Sequence, residues 1–186
     1  MKKMFLMAVA AIMVTMSAQA GKAVTNMRVE IGSTERDRAE YSVFTYQDDE
    51  ETFGYYLSVG RVTHILGILR DDIETDDFDK VKETCIYLGS TYDEAYEVLG
   101  DMLNLYDKDV DTSVEYKSRE AARGNRLGDT TSSTCIVKKK PLAGKQLMFL
   151  FAGGKRETHA WVPKQVIKEL RWILKTDKKI HPQHHR

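Results

Sequence analysis

Residues 40–47, EYSVFTYQ, place Tyr41, Val43 and Thr45 on one side of an extended chain and Ser42, Phe44 and Tyr46 on the other. β-Branched and aromatic residues at a period of two predict a strand. Asp48-Asp49-Glu50-Glu51 interrupts the alternation, and residues 52–62 resume it with Phe53, Tyr55, Leu57 and Val59. The pair reads as a hairpin whose acidic loop is solvated. Residues 64–69 form a further short apolar run of strand length, and residues 71–82 are acidic without a period and read as a loop. Residues 84–88, TCIYL, predict a short buried strand.

Thr91 with Glu94 three places on forms a capping box, and Tyr92, Ala95, Tyr96, Val98, Leu99, Met102, Leu103 and Leu105 supply the apolar face of a helix reaching about Tyr106. Residues 113–122 carry signals for both helix and strand, and Val114, Tyr116 and the preceding Thr112 favour strand. Residues 124–133, GNRLGDTTSS, have the composition of a flexible surface loop. The last third predicts a meander of three strands over residues 134–140, 146–151 and 156–162. Its middle run, QLMFLF, is apolar on both faces and is expected at the centre of the sheet. Pro163 suits the first position of a closing helix, with Val166, Ile167, Leu170, Ile173 and Leu174 as its buried stripe and an end near Thr176.

These elements predict an α+β fold, an antiparallel sheet of about six or seven strands with two main helices packed on it. The expected organisation is a signal peptide over residues 1–20, a single domain over residues 21–176 and a flexible C-terminal tail over residues 177–186. Lys2 and Lys3, an apolar stretch from Phe5 to Val14 and the small-x-small ending Ala18-Gln19-Ala20 make the three parts of an export signal. The apolar part is shorter than the roughly 20 residues a spanning helix needs, so the mature chain is expected without a membrane span. A bacterial periplasmic or secreted location follows, and about 166 residues remain, enough for one domain with its own core.

Export bears on the two cysteines, Cys85 and Cys135. In an oxidising compartment they are expected to pair, closing a loop of about 50 residues whose chain entropy is worth roughly 4 kcal/mol. Charge is polarised along the chain: residues 71–111 carry fourteen acids against three lysines, and residues 117–186 carry seventeen Lys and Arg against five acids. Either the two parts complement each other within the fold or the basic part meets an anionic partner.

Asp107, Asp109 and Asp111 stand at alternate positions after the first helix, as at the start of a calcium-binding EF-hand loop. Thr112 occupies the place of that loop's turning glycine and Ser118 that of its bidentate glutamate, so a solvated turn is favoured over a weak calcium site. Lys138, Lys139 and Lys140 are candidates for an anion-binding face, with an anionic glycan or another envelope protein as partner. No stacking aromatics are interleaved with them, so no nucleic acid is expected, and lysines on a strand also blunt a sheet edge. His181, His184 and His185 are expected in the frayed tail. The paired acids Asp71/Asp72 and Asp76/Asp77 lie in a densely charged segment unsuited to acid–base catalysis.

Phosphate-cradling, dinucleotide, nucleophile-elbow, zinc-protease and CxxC motifs are absent, so no cofactor is expected and no catalytic residue is assigned. No motif anchors a resemblance to a known family. The expected function is a small exported binding or interaction domain without catalytic activity. Its alternatives are a small exported hydrolase built around His159 or His64, and a structural subunit of a cell-surface assembly.

Overall fold

In the computed structural model, residues 26–36, 39–48, 52–62, 84–121, 126–151 and 158–185 are described. Eight extended segments follow one another: β1 (Met27–Arg36), β2 (Ala39–Gln47), β3 (Phe53–Val62), β4 (Thr84–Gly89), β5 (Ser113–Ala121), β6 (Leu127–Lys140), β7 (Gly144–Phe151) and β8 (Thr158–Val162). Each pairs antiparallel with its predecessor, giving one sheet in the order β1 to β8, curved into a half-barrel. Helix α1 (Tyr92–Leu105) joins β4 to β5, and α2 (Lys164–Ile180) follows β8. The expected signal peptide, the apolar run at residues 64–69 with His64, and the acidic residues 71–82 lie outside the described residues.

The fold is broadly α+β, but the sheet has eight strands rather than six or seven. β1 went unpredicted because its sequence, MRVEIGSTER, mixes charge into both faces and a bulge between Glu30 and Gly32 breaks the period of two. At that bulge α2 comes close enough that a Cβ on Gly32 would stand 2.6 Å from Ile173 Cγ2. The expected loop at residues 124–133 is also corrected, because its described part from Leu127 onward belongs to a 14-residue β6 paired along β5. Its hydroxyls are satisfied across the strands: Ser133 Oγ donates to Ser118 Oγ at 2.7 Å, and Thr131 Oγ1 lies 3.1 Å from the same atom. The two buried serines, Ser118 and Ser133, thus answer each other, while residues 129–132 are exposed.

The main core joins one face of the sheet to both helices. Leu57, Ile86, Leu147 and Phe149 from the strands meet Leu99 and Met102 of α1 and Ile167, Leu170 and Leu174 of α2, all fully buried. A second cluster of Phe44, Tyr46, Tyr56, Cys85 and Leu127 covers part of the other face. β2 is thus buried on both sides from Tyr41 to Tyr46. β7, expected at the centre, lies one strand from the edge, and its outward Met148 and Leu150 are only half-buried.

The capping box of α1 forms as predicted. Glu94 N–H donates to Thr91 Oγ1 at 3.2 Å, while Glu94 Oε2 accepts from the backbone N–H groups of Ser90 and Thr91 at 2.7 and 3.2 Å. The Ser90 backbone bond is the largest of the contacts that hold the Glu94 carboxyl below the ordinary glutamate range. A lowered folded value means that its contribution to stability is complete above the unfolded value and is lost as pH falls through the folded one. Glu94→Gln is accordingly expected to flatten the acid limb of a stability–pH curve between about pH 5 and 3, measured by urea unfolding.

Pro163 is the N-cap of α2, which runs four residues past the expected end at Thr176. After a turn at Pro182–His184 the chain brings His185 back onto the domain with its side chain 2% exposed. The His185 ring stacks on Tyr55, centroids 5.9 Å apart and planes within 7°, and meets the edge of Tyr92 at 5.2 Å. Its Nε2 lies 2.9 Å from Asp177 Oδ2 and its Nδ1 3.0 Å from the Tyr55 hydroxyl. The carboxylate only accepts, so Nε2 carries hydrogen, and in the neutral ring Nδ1 accepts from Tyr55.

Two tyrosines finish the last strand. The Tyr41 hydroxyl donates to Trp161 O and the Tyr106 hydroxyl to Val162 O, both at 2.6 Å. Burial pushes the Tyr106 phenol well above its ordinary range.

Cys85 and Cys135 are both buried and are not bonded to each other, so the expected bridge is not formed. They lie two strands apart, on β4 and β6, at a spacing of about 9–10 Å before any offset along the strands, beyond the reach of a disulfide at roughly 7 Å between Cα atoms. They also point to opposite faces, Cys85 into the second cluster and Cys135 into the main core. Burial pushes the Cys135 thiol up to about 12, away from the reactive thiolate. Without reductant, both thiols are expected to resist alkylation in the folded protein and to add two alkyl masses in denaturant. An unfolded chain that adds none would restore the bridge.

Candidate functional site

The face of the sheet turned away from the helices carries a cleft of about 680 Å³ beside the second cluster, with Asn26, Asp48, Tyr56, Tyr87, Lys117, Arg119, Arg126 and Asp129 among its lining residues. Alternation along β5 explains the floor: Val114, Tyr116 and Ser118 turn toward the main core, so Lys117 and Arg119 turn outward. Arg119 pairs across the sheet with Cys85 on one side and Thr130 on the other.

Arg119 is held on several sides. Its Nε–H donates to Gly128 O at 2.6 Å, Nη2 reaches Leu127 O at 3.5 Å, and Nη1 lies 3.5 Å from Asp48 Oδ2. Its guanidinium carbon is 5.6 Å from the centre of the Tyr46 ring. Burial alone would lower its pKa, but the bond to the Tyr56 hydroxyl, with Tyr46 and Asp48 nearby, outweighs that and raises it. Burial in turn raises the Tyr56 phenol, against the pull of Arg119. The floor is a fixed cation that does not titrate.

Asp48 also closes the β2–β3 turn, its Oδ1 accepting from Thr52 N at 2.8 Å. An acid read in sequence as loop solvation is therefore the counter-charge of the cleft; Asp49, Glu50 and Glu51 lie outside the described residues. Tyr46 ties the rim, donating to Asn26 Oδ1 at 2.6 Å and accepting from Leu127 N at 3.3 Å.

Tyr87 is the aromatic wall. Its ring lies across Gly54, where an added Cβ would stand 2.7 Å from Tyr87 Cε2, and meets Tyr56 edge-on at 5.4 Å. Gly54→Val is expected to push the ring aside, seen as loss of the Tyr87–Tyr56 contacts in NMR and weaker ligand binding.

The residues singled out in the sequence are not in this cleft. Asp107 pairs with Lys164 Nζ at 3.0 Å and Asp111 with Lys138 Nζ. The Asp109 carbonyl accepts from Thr112 N at 3.2 Å. No group of three or more His, Cys, Asp or Glu able to hold a metal is present among the described residues. Lys138, Lys139 and Lys140 alternate between faces: Lys138 meets Asp111, Lys139 is exposed, and Lys140 Nζ sits 4.2 Å from the centre of the Trp161 ring. His159 is exposed on β8, edge-on to Trp161 at 6.1 Å.

Sequence reasoning missed Arg119. The available signal was an outward Arg and Lys on a predicted strand, together with a first hairpin carrying aromatics on both faces, one of which had to be covered or used. Compared with protein-family models, with curated proteins and with solved structures, the chain matches none, so the reading of this cleft rests on its own geometry.

Proposed function

We propose that this chain is an exported, non-catalytic binding domain that holds an acidic sugar or short anionic glycan in the cleft of the helix-free face. The observation that carries the reading is Arg119, fixed by two carbonyls, a carboxylate and a phenol beneath an aromatic wall. Such a floor is preorganised, so little side-chain freedom is lost when a ligand settles on it. Tyr87 offers a ring for the apolar face of a sugar. With Arg119 and Asp48 paired, Lys117 and Arg126 against Asp129 leave a net positive rim for a carboxylate or sulfate. The signal-like residues 1–20 support export.

Titration calorimetry with uronic-acid oligosaccharides, beside neutral ones of equal length, tests this. Binding of the acidic series is expected to weaken about tenfold or more, roughly 1.4 kcal/mol, in Tyr87→Ala and in the double variant Lys117→Ala/Arg126→Ala. His159→Ala is expected to bind unchanged. Equal affinity for neutral and acidic sugars, or the same affinity in all variants, would overturn the assignment.

A further inference from the structure

The two helices lie side by side over the main core and carry opposite charge. Helix α1 has Asp93, Glu94, Glu97 and Asp101 and no basic residue, whereas α2 has five lysines and Arg171 against Glu169 and Asp177. Part of this polarity is used between them: Lys178 Nζ bonds Asp93 at 3.3 Å, Lys164 meets Asp107 just beyond α1, and Arg171 Nε donates to Tyr96 O at 3.3 Å. Those contacts run the helices antiparallel and set their heights, residue 93 beside 178, 96 beside 171 and 107 beside 164.

The outer faces also carry exposed charge, only part of which is used within the fold. On α1, Asp93, Glu97 and Asp101 recur every fourth residue and so form one exposed stripe. On α2, Lys168, Trp172, Lys175 and Lys179 form another, with Trp172 67% exposed between lysines. An exposed indole amid exposed lysines is a surface awaiting a partner. An anionic bilayer would have to accommodate the acidic stripe alongside, whereas a second copy of this chain places acids on lysines.

We propose that the helix layer is a self-complementary interface and that the chain forms a two-fold dimer through it. An axis parallel to the helices, lying between the layers, sets α1 of one copy over α2 of the other and keeps heights along the axis unchanged. Asp93 then stands opposite Lys179, Glu97 opposite Lys175 and Asp101 opposite Lys168, with Trp172 enclosed. An axis across the helices would instead stack like charge on like. The cleft, on the other face of the sheet, stays open in both copies.

Sedimentation equilibrium at low and at 1 M salt tests the proposal. At low salt the chain is expected at twice its own mass, and at 1 M salt, where the screening length is about 3 Å, at its own mass. Lys168→Glu/Lys175→Glu and Glu97→Lys/Asp101→Lys are each expected to be monomeric, and mixing the two variants is expected to restore a dimer containing one copy of each. Trp172 fluorescence shifts to the blue in every dimeric sample and not in the monomeric ones. A monomer at about 100 μM in low salt, or a dimer that survives both reversals, overturns it, as does a monomer that acidic vesicles capture through Trp172. Circular dichroism of the variants guards against misfolding, and a mixed dimer cannot arise from misfolded chains.

Discussion

Arg119→Ala is expected to lower the urea-unfolding free energy by about 2–3 kcal/mol and to abolish ligand binding in the cleft. Removing one partner of a buried, hydrogen-bonded charge pair costs roughly 3–5 kcal/mol because the other charge stays behind. Here the Asp48 carboxylate and the Gly128 carbonyl lose their guanidinium, but Arg119 and Asp48 are each 17% exposed, so water answers part of the loss. Arg119→Lys keeps the charge and loses the fork that spans Asp48 and the two carbonyls. It should recover less than half of the stability. A loss below about 0.5 kcal/mol for the alanine variant would show the site to be solvated, since surface pairs are worth that little.

The second large effect is expected at the opposite end of the chain. Ending the protein at Ile180, or changing His185 to Ala, should cost about 2 kcal/mol by the same measurement, from one stacked and one edge-on aromatic contact and two hydrogen bonds. A dangling tail would be removed without cost. Heparin or metal binding by the histidines would leave thermal unfolding unchanged in the truncated form, so the two outcomes separate. The first amides to exchange in the shortened chain should be those of the Tyr92 turn, because His185 packs there and on Tyr55.

How far these features were legible depended on whether a residue's role was local. The hairpin of β2 and β3, the capping box of α1 and the Leu170–Leu174 stripe of α2 were readable because period and cap chemistry reside within a few residues. β1 was invisible because its strand character comes from pairing with β2 and from α2 lying on Gly32, neither of which leaves an apolar alternation. The Ser- and Thr-rich start of β6 mimicked a loop because residues 129–132 are exposed and polar, and only pairing along β5, with buried Ser133 answering Ser118, makes them a strand. For the cysteines, residue count and compartment suggested a bond that topology prevents: β4 and β6 are separated by β5, and the side chains face apart. Arg119 belongs to the same class. Its importance arises from Asp48 and Leu127, 71 and 8 residues away, meeting it across three different strand pairings.

The polarity of the sequence, acidic and then basic, had two explanations, and the structure gives substance to each. Lys178 with Asp93, Lys164 with Asp107 and Lys138 with Asp111 are intramolecular complements. The stripes of α1 and α2 remain turned outward, where screening by salt governs them.

The phenol caps on the final strand bear on how the protein survives crowding. A terminal strand whose carbonyls face outward is an invitation for a neighbour's backbone to zip on, and from there for fibrils to grow. Neighbouring carbonyls point in opposite directions along a strand, so one of Trp161 O and Val162 O turns to the open edge, and either one already accepts from a phenol of the same molecule. Replacing both tyrosines with Phe leaves the packing in place and exposes that rung. Under agitation such a chain should seed amyloid sooner than its parent, even while the native state remains the majority.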